Sequence, residues 1–114
     1  SLTPQMEQQV EAYLKALEQD PYTPPSDRPL DPELLGVLVD EGKVVKVNES
    51  VVFAASAYQE MADRIVEHLR SQGSITVAEA RTMFNTSRKY ILPMLEHLDQ
   101  QRVTRRVGDE RVLR

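Results

Sequence analysis

The chain contains no cysteine. Disulfides and thiolate-bound metals are therefore excluded, and a reducing, cytoplasmic setting is expected. Tryptophan is also absent and aromatics make up only 5% of the residues, so Leu, Val, Ile, Met and Ala must build the core. No apolar run approaches the ~20 residues of a membrane-spanning helix, and no secretory apolar segment is present. No G-x-x-x-x-G-K-[ST] run exists to cradle a nucleotide. No convergent set of nucleophile, base or metal ligand is visible, which makes an enzyme the least favoured class. His68 and His97 stand alone on helical segments and read as partly exposed helix residues.

What is present is an ordinary globular balance: 114 residues, 40% apolar and 28% charged. That length holds one domain or two very small ones. The chain starts at Ser1 without Met and reads as a piece of a longer protein. The net charge is −4, but it is unevenly placed. Residues 1–57 carry 4 Lys+Arg against 10 Asp+Glu, a net of −6. Residues 58–114 carry 10 against 8, a net of +2, and from Arg81 onward the net is +4. Opposite signs suggest two units with different tasks, the second suited to a polyanion.

Local signals set out the elements. Thr3-Pro4 and Asp31-Pro32 are each a capping residue followed by the proline favoured at a helix start. "PYTPPSDRP" between those helices has no periodicity and reads as an extended connector. "KVVKV-NES-VVFA" reads as a hairpin. A second unit then opens with Tyr58, Met61, Ile65 and Leu69 on one helical face. Thr76 and Glu79 form a capping box that starts a short helix. After the turn "NTS", Thr86 or Ser87 starts a third helix, with Ile91, Met94 or Leu95, and Leu98 inward. "RVTRRV-GDE-RVL" follows as a hairpin with a three-residue turn, in which Gly108 takes positive φ.

The fold class expected is α+β, mostly α with small β-hairpins, arranged as tandem winged helices. Residues 1–56 are the acidic spacer, a truncated winged helix with the connector in place of one helix. Residues 57–114 are the complete unit.

The third helix of the second unit poses an electrostatic question. Arg88 and Lys89 follow directly after Ser87. Cations at a helix start oppose the dipole by ~0.3–1 kcal/mol each. An anion docked there reverses the sign, because backbone N–H groups, the Ser87 hydroxyl and both cations then converge on phosphate. Pro93 sits inside the same helix, where proline usually costs ~3 kcal/mol, and a kink is one reading of it. The hairpin adds Arg105, Arg106 and Arg111. Strand alternation sends Arg105 and Arg106 to opposite faces, so only one shares a surface with the helix start. Asp109 and Glu110 are available to pair with Arg106 and Arg111. Tyr90 reads as core edge.

Three pieces, "ITVAEAR", "TSRKY…LP.LE.LD" and "TRRVGD.RVL", together resemble the end of the bacterial selenocysteine-specific translation elongation factor family, SelB. "DPELL…L…G.VVKV" is similar to the preceding domain of that family. The resemblance implies tandem winged helices behind a GTPase body. That body, with its GTP and Mg, is absent here, so no cofactor and no hydrolysis are expected of these residues. It implies binding of an mRNA hairpin with a bulged or loop base beside an in-frame UGA codon. Through the parent it implies selenocysteyl-tRNA and the ribosome as partners. By position, the family's RNA contacts fall on Ser87, Arg88, Lys89, Arg105, Arg106, Gly108 and Arg111. A monomer is expected, with no membrane partner. The alternatives are a DNA-binding winged-helix regulator, which usually dimerises on two half-sites, and a winged helix used only for protein contacts.

Overall fold

The computed structural model describes residues 2–114. The chain divides into two compact units, the first ending at Ala57 and the second running from Tyr58 to Arg114.

In the first unit, α1 (Pro4–Gln19) starts where Thr3 Oγ1 accepts from the Met6 N–H, 3.1 Å away. Its inward face offers Val10, Tyr13, Leu14 and Leu17. Pro21 follows shortly after the helix, as its restriction on the preceding residue requires. Residues 20–31 form no helix. Helix α2 (Pro32–Asp40) is capped by Asp31, whose carboxylate accepts from the Glu33 N–H at 2.9 Å. Strands β1 (Val44–Lys46) and β2 (Val52–Ala54) pair antiparallel, Val45 opposite Phe53. Val47 N–H donates to the Val51 carbonyl at 3.0 Å, so the turn is Asn48–Ser50, the three residues expected. Asn48 organises it, its side-chain oxygen accepting from the N–H groups of Ser50 and Val51 at 2.9 and 2.8 Å. The core is Leu17, Leu38, Val44, Ala54 and Ala57.

In the second unit, α3 (Ala55–Gln72), which begins just before the boundary, contributes buried Met61, Ile65 and Leu69. Helix α4 (Val77–Phe84) follows, and α5 (Arg88–Gln100) is reached through Asn85 in the left-handed conformation, φ 50°. The capping box of α4 is complete: Glu79 N–H donates to Thr76 Oγ1 at 3.0 Å, and Thr76 N–H donates to Glu79 Oε1 at 2.9 Å. That backbone hydrogen bond holds the Glu79 carboxyl below its ordinary range.

The sheet has three strands in the order β3–β5–β4, formed by Ile75–Thr76, Glu110–Leu113 and Thr104–Val107. Strand β3 is not visible in local sequence. Its two residues owe their strand geometry to Arg111 and Glu110, 36 and 34 positions away. The wing turn is two residues, Gly108 and Asp109, not three, because Val107 pairs with Glu110. Gly108 has φ 62° and Asp109 does not share its sign, the pattern of a II′ hairpin turn.

Pro93 lies within an unbroken α5 and is buried with Ile91, Met94, Leu95 and Leu98. It supplies no N–H to the Lys89 carbonyl, and its ring is part of the core. The packing role is therefore visible; a break in the helix is not.

Candidate nucleic-acid interface

Four helices have a defined capping residue, and three of those residues accept a backbone N–H through the side chain. Helix α5 is the exception. Ser87 occupies the capping position with extended backbone, φ −117° and ψ 166°, but makes no side-chain capping bond. The first turn holds no acidic residue. Ser87, Arg88 and Lys89 are all exposed. The end of α5 that the dipole makes positive therefore carries two further cations at the surface. The Lys89 ammonium lies 5.3 Å from the centre of the Tyr90 ring.

The wing brings further cations to this region. Arg88, Arg106 and Arg111 border one open concavity of about 300 Å³, together with Thr76 and Leu92. Arg106 is steadied by its own turn, its Nε donating to the Gly108 carbonyl at 2.7 Å. Arg105 is exposed on the other face of β4, opposite Val112. Of the adjacent arginines, Arg106 is the one that shares a surface with the helix start. Ser87, Lys89, Arg105 and Gly108 stand outside the lining of the concavity.

Glu96 and Asp109 border the same concavity. The sequence pattern offers Asp109 only as a partner for the wing arginines and does not single out Glu96. The α5 periodicity places Glu96 eight residues after Arg88, about two turns along one face, which is the signal that was available.

Arg111 differs from its neighbours on the wing. It is only 4% exposed. Its Nε and Nη2 both donate to Asp99 Oδ2, at 3.2 and 3.1 Å. Asp99 Oδ1 accepts from the buried Thr104 hydroxyl at 2.7 Å. One carboxylate at the end of α5 thus joins β4 and β5 to the helix. Sequence reasoning put Arg111 with the binding set; its hydrogen bonds place it in the framework. The cross-hairpin pairing expected for the wing acids is not the arrangement either. Arg106 bonds to a carbonyl, Arg111 to Asp99, and Glu110 accepts from Ser74 at 3.3 Å.

Two further contacts hold the helices that present the site. Arg64 of α3 donates to the Met83 carbonyl at 3.1 Å and lies 4.6 Å from the centre of the Phe84 ring. The Tyr58 hydroxyl lies 2.7 Å from His97 Nδ1, and the two rings meet edge to face at 5.2 Å. Burial pushes the His97 imidazole below its ordinary 6.5 and the Tyr58 phenol above its ordinary 10.0. The unfolded chain therefore takes up a proton at His97 first as pH falls. The stability from neutral His97 is complete above 6.5 and is lost as pH drops through the lower folded value. Thermal melts between pH 7.5 and pH 5 should show a falling midpoint, and His97→Phe should flatten that dependence.

Among the described residues, no group of three or more His, Cys, Asp or Glu could hold a metal ion. No helix among them is long and apolar enough to cross a membrane.

Comparison with known proteins agrees with this fold. The solved bacterial selenocysteine-specific elongation factor EF-Sec superposes on all of this chain with a TM-score of 0.71 at 17% identity, using 20% of its own length. The mRNA-binding domain of Escherichia coli elongation factor SelB, solved in complex with SECIS RNA, matches with a TM-score of 0.67 at 24% identity. That match covers 72% of this chain and 68% of the other. The selenocysteine-specific elongation factor of Desulfomicrobium baculatum is 30% identical over 82 residues, 72% of this chain. The aligned stretch is 13% of that relative's length, so the chain corresponds to a small part of it. Residues 67–113 match the family model described as elongation factor SelB, winged helix. That stretch contains the end of α3, the helix-turn-helix and the whole wing, and residues 67–113 are a winged helix of the SelB elongation-factor family.

Proposed function

We propose that this chain binds an mRNA stem-loop, the selenocysteine insertion element, as part of a selenocysteine-specific elongation factor, and so brings that factor to an in-frame UGA codon. The observation that carries the reading is the start of α5, with two cations and no acidic residue in its first turn, beside Arg106 of the wing and within residues that match the SelB family. The complex of the Escherichia coli domain with SECIS RNA supports it by analogy of fold.

Binding is phosphate-directed. Ser87, Arg88 and Lys89 meet the backbone at the helix start, where the helix dipole favours an anion. Arg105, Arg106 and the Gly108 turn approach it from the wing, and arginine's planar fork suits phosphate oxygens. Arg111 acts indirectly, by holding the wing to α5. Duplex RNA hides its base edges in a deep major groove, so sequence is read at a bulge or loop. Glu96 and Asp109 repel phosphate from the concavity but can accept from the amino group of an unpaired base. The task is binding rather than catalysis, with GTP and Mg belonging to the rest of the parent factor. That parent works in the cytoplasm with selenocysteyl-tRNA and the ribosome, and the chain acts as a monomer.

The test is a titration against a bulged RNA hairpin, the same hairpin as DNA, and an unrelated RNA duplex, across several salt concentrations. The bulged RNA should bind tightest, with affinity falling linearly on a log–log salt plot. Equal or tighter binding to DNA would instead indicate a DNA-binding regulator. Salt-insensitive or absent binding to all three would indicate a protein-contact module.

A further inference from the structure

The first unit carries a surface that RNA binding does not use. On α1, Ala12 and Ala16 flank Tyr13, so the helix is narrow there. Pro25, Pro29 and Leu30 of the connector form the facing wall. Between them lies an open groove of about 530 Å³, lined mainly by apolar atoms. Tyr13 and Leu30 are only partly buried where they join the core. The groove occupies the place between α1 and α2 in the chain where the second unit has α4. The missing helix leaves an apolar face of α1 covered only by the connector.

The charge around the groove decides its partner. Asp27 and Asp31 border it, with Arg28 the one cation among its lining residues. The unit as a whole carries 10 carboxylates and 4 cations. Helix α2, the counterpart of α5, starts with Asp31 and Glu33 where α5 has Ser87, Arg88 and Lys89. A polyanion is repelled from this end. An amphipathic segment with apolar anchors and flanking Lys or Arg is complementary to it, because its stems lie on the apolar wall while its charges reach the carboxylates.

We propose that the groove between α1 and the connector is a docking site for a cationic, amphipathic peptide segment of a protein partner. It is independent of the RNA surface on the second unit.

The experiment is fluorescence anisotropy with the whole chain and a labelled amphipathic peptide made only of Leu, Ala and Lys. Polylysine of equal length and the same peptide with Glu for Lys are the controls. The Leu/Lys peptide should bind saturably, at least tenfold tighter than either control. Ala12→Tyr fills the groove from an exposed helix position and should weaken it at least tenfold. Asp27→Asn with Asp31→Asn, which keeps a capping side chain, should weaken it severalfold and flatten its salt dependence. Circular dichroism and unchanged RNA affinity in both variants establish that they are folded and separate this site from the RNA reading. Equal binding of polylysine, or no effect of Ala12→Tyr, would overturn the proposal. So would concentration-dependent self-association that Ala12→Tyr abolishes, since a second copy would then be the occupant.

Discussion

Arg111→Ala is expected to destabilise the second unit by about 1.5–3 kcal/mol, because the guanidinium is buried while the Asp99 carboxylate it leaves behind stays partly exposed. The guanidinium is buried and donates twice to Asp99, which in turn accepts from Thr104. Its removal leaves a carboxylate at the C-terminal end of α5, where the helix dipole already disfavours negative charge. For a unit this small, the upper end of that range, about 3 kcal/mol, corresponds to a drop in melting temperature of more than ~10 °C. Chemical denaturation followed by fluorescence or circular dichroism measures it. Replacing both partners, Arg111→Met with Asp99→Leu, should cost less than Arg111→Ala alone, because no unpaired charge remains. Arg105→Ala, exposed on the other wing face, should leave stability unchanged. In the folded fraction of Arg111→Met with Asp99→Leu, RNA affinity should change little. A large loss there would return Arg111 to the contact surface.

The second large effect has the opposite character. Arg88→Glu with Lys89→Glu should abolish most RNA affinity while leaving the fold intact or slightly more stable. Acidic residues at a helix start are favoured by ~0.3–1 kcal/mol each, so the double change relieves a local electrostatic cost. Two lost phosphate contacts should reduce the log–log salt slope by roughly 1.4–1.8 and affinity on the order of 100-fold near 0.1 M salt. Isothermal titration across a salt series, paired with thermal melts, reads both quantities. A variant that is both less stable and unchanged in salt slope would mean that these cations serve the fold.

The contrast between these residues shows what the sequence could convey. Thr3-Pro4, Asp31-Pro32 and Thr76 with Glu79 encode helix starts within four residues, so they were legible. The exposed cations after Ser87 were legible for the same reason, since a helix start has a known sign of charge. Arg111 was not. It sits in the same arginine-rich run as Arg105 and Arg106, and only the register of β5 against β3 and β4 turns it toward Asp99. Strand β3 was hidden likewise, because Thr76 announces itself as a cap while its strand partner lies in the final hairpin. Asp109 joins Arg88 only through tertiary structure, whereas Glu96 lies about two turns after it on α5.

The resemblance to SelB suggests a binding surface but does not divide it. Position in the family motif treats all wing arginines alike. Arg106 and Arg111 both border the concavity, but Arg111 is buried and tied to Asp99, and Arg105 faces away. The first unit has two helices and a hairpin with no helix between α1 and α2, and it carries acid at the start of α2 where α5 has base. Its charge suits it to stand clear of RNA, and its groove suits it to a partner of the other sign.

The central claim is that an RNA backbone supplies the negative charge missing from the start of α5. Amide chemical-shift mapping during titration with a bulged RNA hairpin tests it most directly. The expected result is a set of large shifts at Ser87, Arg88 and Lys89 and at Arg106 and Gly108, with the amides of α1 and α2 unmoved. Shifts centred on α1 and the connector, or a saturated complex in which the α5 start does not respond, would contradict it.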